Sequence, residues 1–151
     1  MSYSRYFRSR DIKLFESKKL KISLEVDNGQ NDYVVICDSG LLRQALTNLL
    51  QNAQDSLLEH HIRSPHIRLL LQETDEYTIL TVNDNGPGFP DMDIAQLLEP
   101  YVTTRQKGTG LGLAIVSKIM DDHAGRMELG AADGGGASVR LSFKRPQPSK
   151  V

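Results

Sequence analysis

With 151 residues, 25% of them charged, and a formal net charge of -1, the chain suits one domain able to bury a proper core. That balance carries neither the basic footprint of a nucleic-acid binder nor an acidic tail. A single cysteine, Cys37, excludes an internal disulfide framework and fits a reducing compartment, and no apolar run is long enough for a membrane span or a signal core.

Residues 1–11, rich in Ser, Tyr and Arg, show no dependable period and read as a linker or tag-like lead-in. Residues 12–144 read as the domain, and 145–151 as a Pro- and Ser-containing tail. Leu20-Lys21-Ile22-Ser23-Leu24-Glu25-Val26 alternates apolar and polar, the pattern of a half-buried strand, and Asp27-Asn28-Gly29 ends it as a turn. Tyr33 to Cys37 reads as a second short strand, with Cys37 a buried thiol, and Asp38 or Ser39 suits the cap of the helix that follows.

That helix, roughly Leu41 to His60, has the clearest period in the chain. Leu42, Leu46, Leu49, Leu50, Ala53 and Leu57 fall in one arc, and Gln44, Asn48, Asn52 and Asp55 cluster nearly opposite. Asparagine is a poor interior helix former, so two of them at i and i+4 cost helix stability and invite a functional explanation beside that of a solvated amide face. His60, His61 and His66 lie near the end of this helix, but adjacent histidines point different ways and do not close a metal shell. His66 to Leu71 and Tyr77 to Val82 read as strands joined by the polar turn Glu73-Thr74-Asp75-Glu76.

The second strand delivers Asp84 to Asp84-Asn85-Gly86-Pro87-Gly88-Phe89. Here a carboxylate at a strand end stands beside glycines that let a ligand approach the backbone, although Asp-Asn-Gly also opens many turns that bind nothing. Asp91 and Asp93 suit a helix start before Ile94 to Leu98, and Pro100 breaks that run. Tyr101 to Gly110 has no strong period. Gly108-Thr109-Gly110-Leu111-Gly112 then precedes a helix over Leu111 to His123, with Arg105 and Lys107 adding positive charge. A helix start presents unpaired N–H groups and accepts phosphate oxygens, but the spacing is neither that of a dinucleotide-binding turn nor that of a P-loop. Arg126 to Leu129 and Ala137 to Phe143 finish the domain as strands, linked by the turn Asp133-Gly134-Gly135-Gly136.

In their order, the amide-bearing helix, the Asp-x-Gly-x-Gly turn and the glycine-rich helix start resemble the N, G1 and G2 boxes of the histidine-kinase-type ATP-binding domain. Gyrase, the Hsp90-type chaperone and the mismatch-repair protein MutL share that nucleotide-binding fold. Leu97-Leu98-Glu99-Pro100-Tyr101-Val102-Thr103-Thr104-Arg105 resembles the F box of sensor kinases, with Tyr101 where Phe is common. The agreement covers roughly Asp38 to Phe143, and its wording is most similar to nitrogen-regulation-type sensor histidine kinases. The resemblance implies an α/β two-layer sandwich of the Bergerat type, a mixed sheet of about five strands covered on one face by about three helices.

It implies further that Asn52 ligates magnesium and that Asn48 helps order the triphosphate of ATP. Asp84 would accept a hydrogen bond from the adenine amino group in a pocket shaped by Gly86 and Gly88. Tyr101, Thr103, Thr104, Arg105, Lys107, Gly108, Thr109, Gly110, Leu111 and Gly112 would form the lid and its phosphate contacts. An amide oxygen is a hard ligand suited to magnesium, and phosphoryl transfer needs positioning and charge neutralisation above all. Hydrolytic relatives carry a glutamate one turn before the magnesium-binding Asn, whereas this chain has Asn48, which cannot act as a general base. Slow hydrolysis and transfer to another acceptor are therefore favoured over an ATP-driven clamp. Many sensor kinases carry Lys or Arg three residues after that Asn, where this chain departs from the pattern with Asp55, a carboxylate in place of a phosphate-binding cation.

None of His60, His61, His66 or His123 has the context of a phosphoacceptor, and His123-Ala124-Gly125 resembles the family's turn after the last helix, a structural role. The expected partners are a histidine phosphoacceptor and dimerisation domain of the same kinase and, downstream, a response regulator, with no nucleic acid. The chain itself is expected to be monomeric and cytoplasmic, a longer parent being free to attach to the inner membrane through other segments. An anti-sigma-factor-type protein serine kinase and a non-catalytic nucleotide-binding module are the alternatives.

Overall fold

The computed structural model describes residues 6–12, 22–27, 29, 32–90, 94–98 and 112–146. Strand β1 (Tyr6–Arg8) is followed by a 3-10 turn (Ser9–Ile12), β2 (Ser23–Asp27) and β3 (Val34–Ile36). Helix α1 (Ser39–Glu59) leads to β4 (His66–Glu73) and β5 (Tyr77–Asp84). A short helix α2 (Ile94–Leu97), helix α3 (Gly112–Asp122), β6 (Arg126–Ala131) and β7 (Ala137–Lys144) complete the order.

Five strands form one mixed sheet in the order β2-β4-β5-β7-β6. Among the described residues only the β2–β4 pair is parallel, with Ser23 opposite His66, and α1 lies in the connection between them. The remaining pairs are antiparallel, with Ile67 opposite Asp84, Val82 opposite Val139 and Leu129 opposite Val139 from the other side. The alternation in β4 and β5 turns Ile67, Leu69, Leu71, Leu80 and Val82 to one face, where they are buried. Val139, Leu141 and Phe143 of β7 continue that face. Against it pack the apolar arc of α1 (Leu42, Leu46, Leu49, Leu50, Ala53 and Leu57, all buried) and Val116, Ile119 and Met120 of α3. This is the expected sandwich, although among the described residues only α1 and α3 are long helices, α2 being four residues.

The ends of α1 are chemically explicit. Asp38 caps the N-terminus, its Oδ1 accepting from the Leu41 N–H at 3.1 Å. At the other end the Ile62 N–H donates to the Leu57 carbonyl and the His61 N–H to that of Leu58, the paired bonds of a Schellman ending, with His61 left-handed at φ 51°. Helix α3 ends the same way: Gly125 donates to Met120 and Ala124, at φ 52°, to Asp121. The edge strand β2 is tied to β4 by Arg68, whose Nη2 lies 2.6 Å from Asp27 Oδ2. The Gly29 N–H and that guanidinium hold the Asp27 carboxyl below its ordinary range.

The first residues depart from the expectation of a lead-in. Tyr6–Arg8 pairs antiparallel with Val34–Ile36 as a separate two-stranded ribbon, with Phe7 opposite Val35, and both of these are buried in the core together with Ile12. The physical reason is the apolar pair Phe7 and Ile12, which gain more by burial than an exposed segment retains in freedom.

Candidate nucleotide site

Helix α1 serves as the ruler of the site. Asn48, Asn52 and Ser56 stand on successive turns of one face, about 6 Å apart along the axis. Asn52 is half-buried because α3 begins against it: a Cβ added to Gly112 would lie 2.7 Å from Asn52 Nδ2 and 3.0 Å from its Oδ1. Only a residue without a side chain lets the first turn of α3, with its unpaired N–H groups and partial positive charge, come that close to the amide. One turn earlier, Asn48 Nδ2 is buried with no hydrogen-bond partner among the described residues. Buried amides are nearly always paired, so this donor is held ready for a group that the described protein atoms do not supply. The two asparagines are therefore set apart from the solvated-face reading by their burial. Asp55 is engaged locally, its Oδ1 accepting from Gln51 Nε2 at 2.8 Å.

One turn further along α1 lies the glycine turn. Leu80, Val82 and Asp84 share the helix-facing side of β5, so the alternation that buries two apolar side chains also aims the carboxylate toward α1. Asp84 Oδ1 accepts from the Gly86 N–H at 2.9 Å and from the Ala137 N–H at 3.1 Å. A Cβ on Gly86 would meet Asp84 Oδ1 at 3.1 Å, Leu57 at 3.2 Å and Ser56 Oγ at 3.7 Å, which places this turn directly on the helix. Gly88 is left-handed at φ 86°, a conformation that favours glycine. Asn85 looks the other way and is structural: its Oδ1 accepts from the His66 N–H at 2.8 Å and its Nδ2 donates to the Ser64 carbonyl at 2.9 Å.

Thus Asn48, Asn52, Gly86 and Gly112 lie along one flank of α1, with Asp84 bonded to the Gly86 turn and Gly88 set against Gly136. Tyr101, Thr103, Thr104, Arg105, Lys107, Gly108, Thr109, Gly110 and Leu111 lie outside the described residues. Two contributors escaped the sequence reading: Gly136 and Ala137, taken only as the end of a turn and the start of a strand. A run of three glycines before a strand is the signal that marked a close backbone approach there.

The histidines have other work. His123 Nδ1 donates to the Ile119 carbonyl at 2.7 Å, while its Nε2 accepts from the Asp38 N–H at 3.0 Å, joining the end of α3 to the cap of α1. His60 and His61 belong to the ending of α1, and His66 Nε2 pairs with Glu25 at 3.2 Å. Cys37 is buried, and that burial, with the Asp38 charge beside it, pushes the thiol up to about 12.

Residues 37–147 match the family described as histidine kinase-, DNA gyrase B-, and HSP90-like ATPase. The chain is 46% identical over 115 residues to the nitrogen regulation protein NtrY of Azorhizobium caulinodans, an alignment covering 74% of this chain and 15% of that protein. Among solved structures it is similar to the catalytic domain of histidine kinase ThkA, with a TM-score of 0.76, 26% identity, and coverage of 95% of this chain and 96% of that one. It is also similar to full-length ShkA, solved in complex with AMPPNP, with a TM-score of 0.72, 27% identity, and coverage of 89% of this chain and 28% of that one.

Proposed function

Because the chain belongs to the histidine kinase-, DNA gyrase B-, and HSP90-like ATPase family and has the fold of histidine kinase catalytic domains, we propose that it binds Mg-ATP and positions the γ-phosphate for transfer to a histidine on a separate phosphoacceptor domain, which then feeds a response regulator. The observation that carries this reading is the Asp84 carboxylate. Two backbone N–H groups hold it at one oxygen, beside a glycine turn and one helical turn beyond Asn52. Asp84 then accepts the amino group of adenine, with Gly86 and Gly88 giving the base room.

The donor set fits magnesium. Asn52 offers a hard amide oxygen as a magnesium ligand, while the positive start of α3 beside it and the unpartnered Asn48 Nδ2, an N–H donor, suit phosphate oxygens. Bound there, the ion would neutralise charge on the phosphate oxygens; Asn52 would hold it, with Asn48 ordering the triphosphate. By family resemblance, Tyr101, Thr103, Thr104, Arg105, Lys107, Gly108, Thr109, Gly110 and Leu111 complete the lid. The complex of the similar ShkA with AMPPNP supports nucleotide binding at this fold. ATP as substrate places the reaction in the cytoplasm; among the described residues no helix is long and apolar enough to cross a membrane.

Incubation with γ-labelled ATP and a supplied histidine-hairpin domain tests the reading. The label is expected on the hairpin as an acid-labile phosphohistidine, and not on this chain alone. Asp84→Asn is expected to weaken calorimetric binding of ATP by about tenfold or more, the worth of a hydrogen bond to a charged group. Unchanged affinity removes Asp84 from the pocket, and stable phosphohistidine on the chain by itself refutes the division of labour.

A further inference from the structure

Asp84 is positioned from outside its own turn. Gly136 has φ 100°, and a Cβ there would overlap the Asp84 carbonyl oxygen and lie 2.7 Å from the Asp84 carbonyl carbon and 3.1 Å from Asn85 Cα. The last residue of the β6–β7 turn thus lies flat on the backbone of Asp84 and Asn85. Gly88 closes the same junction from the other turn, since a Cβ on it would meet the Gly136 carbonyl at 3.5 Å. The next residue, Ala137, donates its N–H to Asp84 Oδ1, the oxygen that already accepts from Gly86. An ionised carboxylate only accepts hydrogen bonds, so loading both donors onto Oδ1 leaves Oδ2 as the acceptor presented to a ligand.

From this geometry we propose that Gly136 and Ala137 are positioning residues that make the site selective for a base bearing an exocyclic amino group. The inference rests on the reading of Asp84 as the base-recognising residue and adds what aims it. A carboxylate locked in this way meets a donor well and an acceptor badly. A base with a carbonyl in place of the amino group sets two acceptors face to face, and a site built around a hydrogen bond rejects such an analogue strongly. A carboxylate free to turn would lose that discrimination while keeping its charge.

ADP and IDP differ at this group and serve as the probes. The unsubstituted chain is expected to bind Mg-ADP about tenfold or more tighter than Mg-IDP by calorimetry. Gly136→Ala, which drives a methyl into Asp84, and Ala137→Pro, which deletes the donor at the first residue of a strand, should each bring that ratio toward one. Gly134→Ala is the control: Gly134 is also left-handed, at φ 80°, but a Cβ there meets nothing within 4 Å, so the ratio should be kept. A folded Gly136→Ala or Ala137→Pro chain with an unchanged ratio overturns the proposal, as does a ratio equally lost in Gly134→Ala. Should neither substituted chain fold, amide exchange decides: the Ala137 N–H should lose protection in Asp84→Ala, and equal protection overturns the bond. An unsubstituted chain that binds neither nucleotide sinks the ATP reading itself, whereas binding without selectivity sinks only this inference.

Discussion

Cys37 shows how a side chain with no place in the chemistry still reports on the fold. Its thiol, 6% exposed, ionises at about 12 rather than the ordinary 9.0, because burial and the Asp38 charge disfavour the thiolate. The unfolded chain therefore releases this proton near 9.0 while the folded chain holds it. By linkage the contribution is fully present below 9.0 and is lost as the pH rises toward about 12. Urea midpoints across that window should fall less steeply for Cys37→Ala than for the unsubstituted chain; parallel slopes would show that the thiol is not shielded. The burial itself was legible, since Cys37 ends an apolar run. Asp84 was legible in the same way, from a strand pattern that ends on a carboxylate before glycine. Ala137 was not, because its contribution is a backbone N–H, and a backbone donor has no letter in the sequence.

Between elements, His123 is the joint. Its ring Nε2 accepts from the Asp38 N–H at 3.0 Å and its Nδ1–H donates to the Ile119 carbonyl, and it meets Phe143 edge-on with centroids 6.2 Å apart. Removing it orphans a partly buried N–H at the start of the helix that carries both asparagines. His123→Ala should therefore cost about 1–3 kcal/mol, read from denaturant midpoints, with His123→Gln recovering part through its amide oxygen. A null effect would demote the contact to coincidence. Both long helices were readable from their apolar periods, and the cap of the first as Asp38 or Ser39, of which the structure uses Asp38. Their endings were less so, because the left-handed positions hold His61 and Ala124 where glycine is the usual sign.

Across the whole molecule, alternation revealed which segments are strands, but strand order depends on pairing between distant residues that no local pattern records. The clearest case is β1. Its three residues were read as lead-in, yet Phe7 is 1% exposed and faces Val35 across the ribbon. Phe7→Ala should cost about 3–5 kcal/mol of unfolding free energy, a large part of the stability of a domain this size, and a loss below about 1 kcal/mol would return the segment to the status of an appendage. The position of β7 has a consequence for how the molecule comes into being. Although the last strand among the described residues, it lies inside the sheet between β5 and β6, and its first residue supplies the donor that steadies Asp84. During synthesis the earlier strands emerge without their central neighbour, so neither a closed core nor the Ala137 bond to Asp84 exists until residue 144 has left the ribosome. A ligand that binds only the finished fold then stabilises chains that have reached β7 and leaves those cut before it to proteolysis.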